Sequence, residues 1–314
     1  PISGEQAKAF ALGKVRDALI YACRVKNNVD IVKYLIQEGS LVNGKEKEGR
    51  LYIHSIHGYG YSAPLANTIS IEDMAMMKEL IRAKADINSV FNGGTPLMYA
   101  AFQGKVEIAE KLLDKKADIK AVDSIGRSAM VHAIIMGNID IIELLRSRGY
   151  SLTNKSSNNI TPLMWAIIYD NLKSVRYLIQ DNVKILEEKD VNGWNAFMFA
   201  CAKGYLDIVQ YILKLSPNII NKKSNNKETA LIIAADNGKA NIVQYLLDNG
   251  ALNQIEDKTV NGFSALYLAS EYGHIEVCDI LLNYYDEKGR EKVYKVAKEK
   301  GDKEILKLIQ KKSK

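Results

Sequence analysis

Asn92-Gly93-Gly94-Thr95-Pro96-Leu97-Met98 opens the stretch that decides how this chain is built. Thr95 has the side chain of a helix cap, and Pro96 suits a first helical turn, where its missing N–H has no partner to lose. The spacing predicts a helix over Leu97–Gln103, ended by Gly104. A second run, Val106-Glu107-Ile108-Ala109-Glu110-Lys111-Leu112-Leu113, has helical apolar spacing. Ala117-Asp118-Ile119 then leads into the next turn.

The opening phrase recurs as Ser128-Ala129-Met130-Val131, Thr161-Pro162-Leu163-Met164, Asn195-Ala196-Phe197-Met198, Thr229-Ala230-Leu231-Ile232 and Ser264-Ala265-Leu266-Tyr267. The steps from Thr95 onward are 33, 33, 34, 34 and 35 residues, and Ser62-Ala63-Pro64-Leu65 lies 33 residues before it. A fixed period of this size means units too small to bury their own apolar faces, which must stack on their neighbours. The repeat resembles the ankyrin repeat, whose pattern runs G-x-T-P-L-H-x-A-A, a Gly, a second helix and then G-A-D-V-N. The resemblance covers nearly the whole chain. It implies an all-α solenoid of stacked helix-turn-helix units joined by β-hairpin-like turns.

The chain departs from that pattern in two ways. The His after Leu is replaced by Met98, Val131, Met164, Met198, Ile232 and Tyr267, so the polar tie at the start of the first helix is expected to be absent, with packing in its place. The Gly that ends the second helix is present as Gly39, Gly149 and Gly250, while Lys84, Lys116 and Asn182 stand there elsewhere.

The reading is a single solenoid over residues 1–314. Residues 1–43 form an N-terminal capping repeat, with helices at Ala18–Cys23 and Asp30–Ile36 and with Phe10 and Leu12 placed to dock on its open end. Residues 44–61 form a long insertion loop, charged at first and then alternating Tyr52, His54, Ile56 and Gly58. A loop of that length is often functional. Repeats two to eight occupy 62–285 and a basic C-terminal cap occupies 286–314, with helices around Val293–Ala297 and Ile305–Ile309.

The net charge of +6 is concentrated in that cap, where residues 286–314 hold 11 Lys+Arg against 6 Asp+Glu. The repeat body is nearly neutral, which argues against nucleic acid, since such affinity needs a basic stripe to meet phosphates. No apolar run of about 18 residues predicts a membrane span. No signal peptide is visible, but the chain begins with Pro, so its start is trimmed or processed. The expected compartment is cytoplasmic, with export or a periplasmic location left open. Cys23, Cys201 and Cys278 fall in repeats one, six and eight, too far apart along a solenoid for disulfides, and read as core thiols.

No P-loop, GxSxG, HExxH or CxxC is present. His54 and His57 have no further ligands nearby, and Gly58-Tyr59-Gly60 lacks the strand and helix start of a phosphate loop. His132 and His274 read as structural. No enzyme activity, metal or cofactor is therefore expected.

The resemblance implies that partners meet the concave side, lined by the inter-repeat turns and the ends of the first helices. The residues before the Thr position are Gly94, Arg127, Ile160, Trp194, Glu228 and Phe263. Together with the helix-end positions, this phase gives the candidate partner-binding residues: Phe102, Ile125, Arg127, Ile135, Met136, Ile160, Tyr169, Trp194, Lys203, Phe263 and Tyr272. Trp194 and Tyr169 are expected to flank one pocket, with Arg127 and Lys203 available for a carboxylate or carbonyl. The competing reading tucks several of these side chains against the next repeat. Trp165 shares its phase with Tyr99, Phe199, Ile233 and Leu268 and reads as core, as do Met98, Met164 and Met198. The function implied is a monomeric, non-catalytic protein-protein interaction module that binds a protein or extended peptide. The alternative is nucleic-acid or acidic-surface binding through the basic cap.

Overall fold

The computed structural model of the protein describes residues 18–40, 42–43, 64–91, 93–156, 158–180 and 182–312. The insertion loop expected at 44–61, and the N-terminal stretch with Phe10 and Leu12, lie outside the described residues. The chain divides into two compact units, Pro1–Ser151 and Leu152–Lys314.

Helix pairs build both units. In the first, a helical segment at 18–22 and the helix Val29–Gln37 precede the pairs Pro64–Ser70 with Met74–Arg82, Pro96–Gln103 with Val106–Asp114, and Ala129–Met136 with Ile139–Ser147. In the second, the pairs are Pro162–Ile168 with Leu172–Ile179, Ala196–Lys203 with Leu206–Leu215, Ala230–Asp236 with Ala240–Asp248, Ala265–Glu271 with Ile275–Leu282, and Glu287–Lys300 with Lys303–Lys312. Within each unit, first helices pack on first helices and second helices on second helices.

One small residue makes this stacking possible. Ala100, Ala133, Ala166, Ala200, Ala234 and Ala269 hold the same phase of successive first helices, with Thr68 at that place in Pro64–Ser70, and each is fully buried. A methyl group there lets neighbouring helices approach closely. The larger side chains around them fill the layer between repeats, among them Leu97, Met130, Leu163, Phe197, Leu231 and Leu266, all at most 1% exposed. Burying such a side chain contributes roughly 1.5–3 kcal/mol. Met98, Met164 and Met198 are buried as the sequence predicts.

The first helices start as the phrase requires. Thr161, Asn195, Thr229 and Ser264 each accept the N–H of the third helical residue. The polar tie expected to be missing is partly present. The thioether sulfurs of Met98 and Met164 accept the backbone N–H of Thr95 at 3.4 Å and of Thr161 at 3.5 Å. A methionine three residues past the cap reaches the same donor, and its soft sulfur serves as a weak acceptor.

Turns between repeats carry short bridges, Phe91 with Gly94, Val122 with Ser128 and Lys189 with Asn195. They are linked from repeat to repeat. Asn43 Oδ1 accepts the Asp86 N–H at 2.7 Å, and Asn88 Oδ1 that of Asp118 at 2.8 Å. In the second unit the Asn225 N–H donates to Asn192 O at 3.0 Å and the Val260 N–H to Asn226 O at 2.9 Å. Second helices end in left-handed residues at Gly149 and Gly250, and Lys84 and Lys116 adopt that conformation at φ 63° and 67°. Asn182 does not: its φ is −154°, and its side chain caps the 3-10 turn Val183–Glu187 instead. Similar turns follow at Pro217–Asn221 and Ala251–Gln254, which is how the connections in the second unit absorb the longer repeat spacing.

In the cap, the first helix is longer than expected, because Asp286 caps it by accepting the Gly289 N–H and starts it at Glu287, six residues before Val293. Two of its lysines serve docking. Lys300 Nζ reaches the Glu271 carbonyl at 2.6 Å and its carboxylate at 2.7 Å. Lys312 Nζ meets Asp279 at 2.8 Å and Asn283 Oδ1 at 2.5 Å. Both contacts place positive charge at the ends of the helices of the preceding repeat, where the helix dipole favours it.

Candidate partner-binding surface

In the first unit, Ile125 at its turn and Met136 at the end of its first helix are exposed, at 58% and 48%. Phe102 and Ile135 are half-buried, and the Phe102 ring meets His132 edge-on with centroids 6.2 Å apart. Arg127 is engaged within its own turn. Its Nε lies 2.7 Å from Asp123 Oδ2, and the same oxygen is 3.3 Å from His132 Nε2. Burial works to raise the Asp123 carboxyl, but the backbone and side-chain hydrogen bonds from Arg127 and the Ile125 N–H outweigh it and hold it below its ordinary value. His132 is lowered, first by burial and then by the Arg127 charge, against the pull of Asp123. This histidine is packed and partnered, as its sequence position implies.

In the second unit, Tyr169, Tyr272 and Lys203 are exposed, while Ile160, Trp194 and Phe263 are half-buried. Trp194 follows Gly193 at the hairpin edge. Its Nε1 donates to Glu228 Oε2 at 2.9 Å, and its ring packs edge-on against Phe199 at 5.5 Å. The Tyr169 ring stacks on Trp165 at 6.0 Å, and Phe263 lies flat on Tyr267 at 4.7 Å. Tyr169 and Trp194 thus have different ring partners, Trp165 and Phe199. Trp165 is not fully core: it is half-buried, and its enclosed Nε1 has no hydrogen-bond partner. Tyr99, Phe199 and Leu268 at the same phase are half-buried as well, so the position lies at the edge of the packed layer, and the Trp165 ring stacks there on Tyr169. Glu228 and Asp236 stand at the same positions of their own repeat, before the cap Thr229 and at the end of the first helix, and are the acidic residues there. His274 Nε2 donates to the Asp236 carbonyl at 2.9 Å, tying repeat eight to repeat seven.

The three thiols are buried and unpaired with one another. Burial pushes Cys23 and Cys278 up to about 12 and raises Cys201 as well. Such groups are thiols, not nucleophiles, at neutral pH. Among the described residues no group of three or more His, Cys, Asp or Glu side chains could hold a metal ion, and no helix is long and apolar enough to cross a membrane.

Stacked helix pairs, capped by Thr or its equivalents and linked through their hairpin turns, agree with the family comparison. Ankyrin repeats match in three copies at residues 65–156, 150–223 and 214–292, and a further ankyrin repeat matches at 16–47. The chain belongs to the ankyrin-repeat family. Ankyrin repeats generally mediate protein-protein interaction. Neurogenic locus notch homolog protein 1 of Homo sapiens is 28% identical over 151 residues, which is 48% of this chain and 5% of that protein. Alpha-latrocrustotoxin-Lt1a of Latrodectus tredecimguttatus is 26% identical over 145 residues, 46% of this chain and 10% of the toxin. The putative palmitoyltransferase ZDHHC13 of Danio rerio is 26% identical over 172 residues, 46% of this chain and 26% of that protein. The similarity therefore spans about half of this chain and a small part of each relative.

Proposed function

We propose that the chain is a non-catalytic interaction module that holds a protein or extended peptide against the hairpin turns and first-helix ends of its repeats. The observation that carries this reading is the recurrence of exposed apolar side chains at those positions: Ile125 and Met136 in the first unit, Tyr169 and Tyr272 in the second. Exposed large hydrophobes at equivalent places of a stacked array are a feature of interaction surfaces. The stacked helices fix their backbones beforehand, which lowers the ordering cost of binding. The basic cap favours an acidic surface less, because Lys300 and Lys312 already dock it on repeat eight.

Selection of linear peptides from an unbiased phage-displayed library on the folded protein tests the reading. Peptides should be enriched, and Tyr169→Ala combined with Trp194→Ala should weaken them by about thirtyfold or more, as hot-spot truncations do. The helical circular-dichroism signal should be retained. Enriched peptides that bind the double variant at full strength would place the surface elsewhere.

A further inference from the structure

The first repeat leaves open a face that later repeats close. At the third residue of the second helix, Met76, Ile108 and Ile141 in the first unit, and Ile208, Ile242 and Val277 in the second, are at most 3% exposed. Ile31 holds that place in Val29–Gln37 and is 52% exposed. First helices repeat the contrast. Met98, Val131, Met198 and Ile232 lie six residues before the left-handed glycine that follows their helix, and they are at most 3% exposed. Tyr21 lies six residues before Asn27, whose φ is 69°, and is 65% exposed. Leu35, at the place of the fully buried Leu80, Leu112 and Leu145, is half-buried. The side of this repeat that meets the next one is closed, since Cys23 and Val32 have no exposed surface.

The far end of the array is dressed differently. Val32, Val243 and Cys278, fourth in their second helices, are fully buried, whereas Leu306 at that place in Lys303–Lys312 is half-buried. Fourth residues therefore face forward, and the outward side of the cap is the groove lined by Arg290, Glu291, Lys307, Gln310 and Lys311 around Tyr294. A terminal unit needs such a polar outer face. The first repeat instead presents tyrosine, isoleucine and leucine, the residues of a surface made to be covered.

We infer that the cover is residues 3–12 of this same chain, folded as a short helix against Tyr21 and Ile31. Ser3-Gly4-Glu5-Gln6 has the Ser-x-x-Gln pattern of a capping box, and Gly13 suits a helix end. Between them Ala7, Phe10 and Ala11 recur at the spacing of one helix face, while Glu5, Lys8 and Leu12 fall on the other. Two alanines beside one phenylalanine allow close approach, with the ring as the single large contact. Residues 13–17 connect this segment to the helical segment at 18–22. Five residues span at most about 18 Å, so the segment cannot leave the end face. The C-terminal cap is joined as briefly: four residues ending in Asp286 separate Ile275–Leu282 from Glu287–Lys300. Asp17 stands in the corresponding place before residue 18. The inference goes beyond the partner-binding reading and is independent of it, because it concerns the end of the array.

Thiol labelling of Ile31→Cys by a maleimide, read by peptide mass spectrometry on the full chain, tests this. The buried Cys23 of the same repeat serves as an internal check that the repeat is folded. Removing residues 1–12 should speed labelling at position 31 at least about tenfold while Cys23 stays protected. Phe10→Asp in the full-length chain should do the same, which keeps the test decisive if the deletion unfolds the repeat. Lys8→Ser, on the other side of the stripe, should leave labelling slow. The inference is overturned if Ile31→Cys labels equally fast with and without Phe10→Asp. It is also overturned if protection survives the deletion, since another segment would then cover the face, or if protection falls on dilution in step with a dimer seen by light scattering, since the cover would then be a second copy.

Discussion

Replacing Gly193 by alanine separates the cost of a left-handed backbone from the cost of crowding the next turn, because the protein carries its own control. Asn192-Gly193-Trp194 and Asn261-Gly262-Phe263 are the same hairpin tip in two repeats, with glycine φ values of 78° and 83°. A Cβ in the left-handed region costs roughly 1–2 kcal/mol at either place. At Gly262 it would meet nothing within 4 Å. At Gly193 it would lie 2.7 Å from the Asn225 backbone nitrogen, so the neighbouring turn must move. That movement strains two turn-to-turn hydrogen bonds, Asn225 N–H to Asn192 O at 3.0 Å and Asn225 Nδ2 to Val191 O at 3.2 Å. Each contributes about 0.5–1.5 kcal/mol. Gly262→Ala should therefore lose about 1–2 kcal/mol, and Gly193→Ala about 2–5 kcal/mol. Urea unfolding followed by circular dichroism, with both variants and the parent fitted to a common slope, reads the difference. Equal midpoints for the two variants would refute the reasoning. They would mean that turn-to-turn bonding adds nothing to the stability of the stack.

Leu163→Ala or Leu231→Ala, both at fully buried sites, should each cost about 2–5 kcal/mol by the same unfolding measurement. Ala200→Leu puts a large side chain where a fully buried methyl spaces two helices, and should cost about 1–3 kcal/mol. The folded pKa of His132 lies below its unfolded value, so its neutral form is favoured in the fold; the stability this contributes is complete above about pH 6.5 and is lost as pH falls through the folded pKa. A nuclear magnetic resonance titration of the imidazole should give a midpoint below the usual value of 6.5, and His132→Gln should flatten the loss of stability between neutral and mildly acid pH. The three buried thiols should resist a disulfide reagent in the native protein and react together once urea unfolds it.

The period was readable because each repeat announces itself with residues whose backbone chemistry is local. A Thr or Ser before a short apolar helix, and a glycine after it, fix both helix ends with little help from the rest of the chain. The expected helix Leu97–Gln103 differs from the observed Pro96–Gln103 by one residue for that reason. Where the local signal was borrowed from the family pattern, it was less secure. Asn182 occupies the position of a left-handed residue but follows a helix ending at Ile179, so the chain turns earlier and makes a 3-10 turn instead. The sulfur contacts of Met98 and Met164 were not foreseen, because a thioether reads as packing until its distance to a backbone N–H is known.

The surface was harder to read than the stack, and the reason lies between repeats. Periodicity places Arg127, Ile160, Trp194, Glu228 and Phe263 at one phase of their units, but phase says nothing about what each side chain finds next to it. Arg127 finds Asp123 four residues away, and Trp194 finds Glu228 thirty-four residues away. The first pairing withdraws a cation from the candidate surface, and the second fixes an anion upon it. Phase does become informative when one repeat is compared with the next. Lys300 meets Glu271, whereas the residue in the register of Lys300 after Asp236 is the exposed Tyr272, so one phase carries an ammonium tie in one repeat and a tyrosine in the repeat before it. Divergence from repeat to repeat keeps the buried stacking position small, alanine in six helices and Thr68 in another, and alters the residues around it.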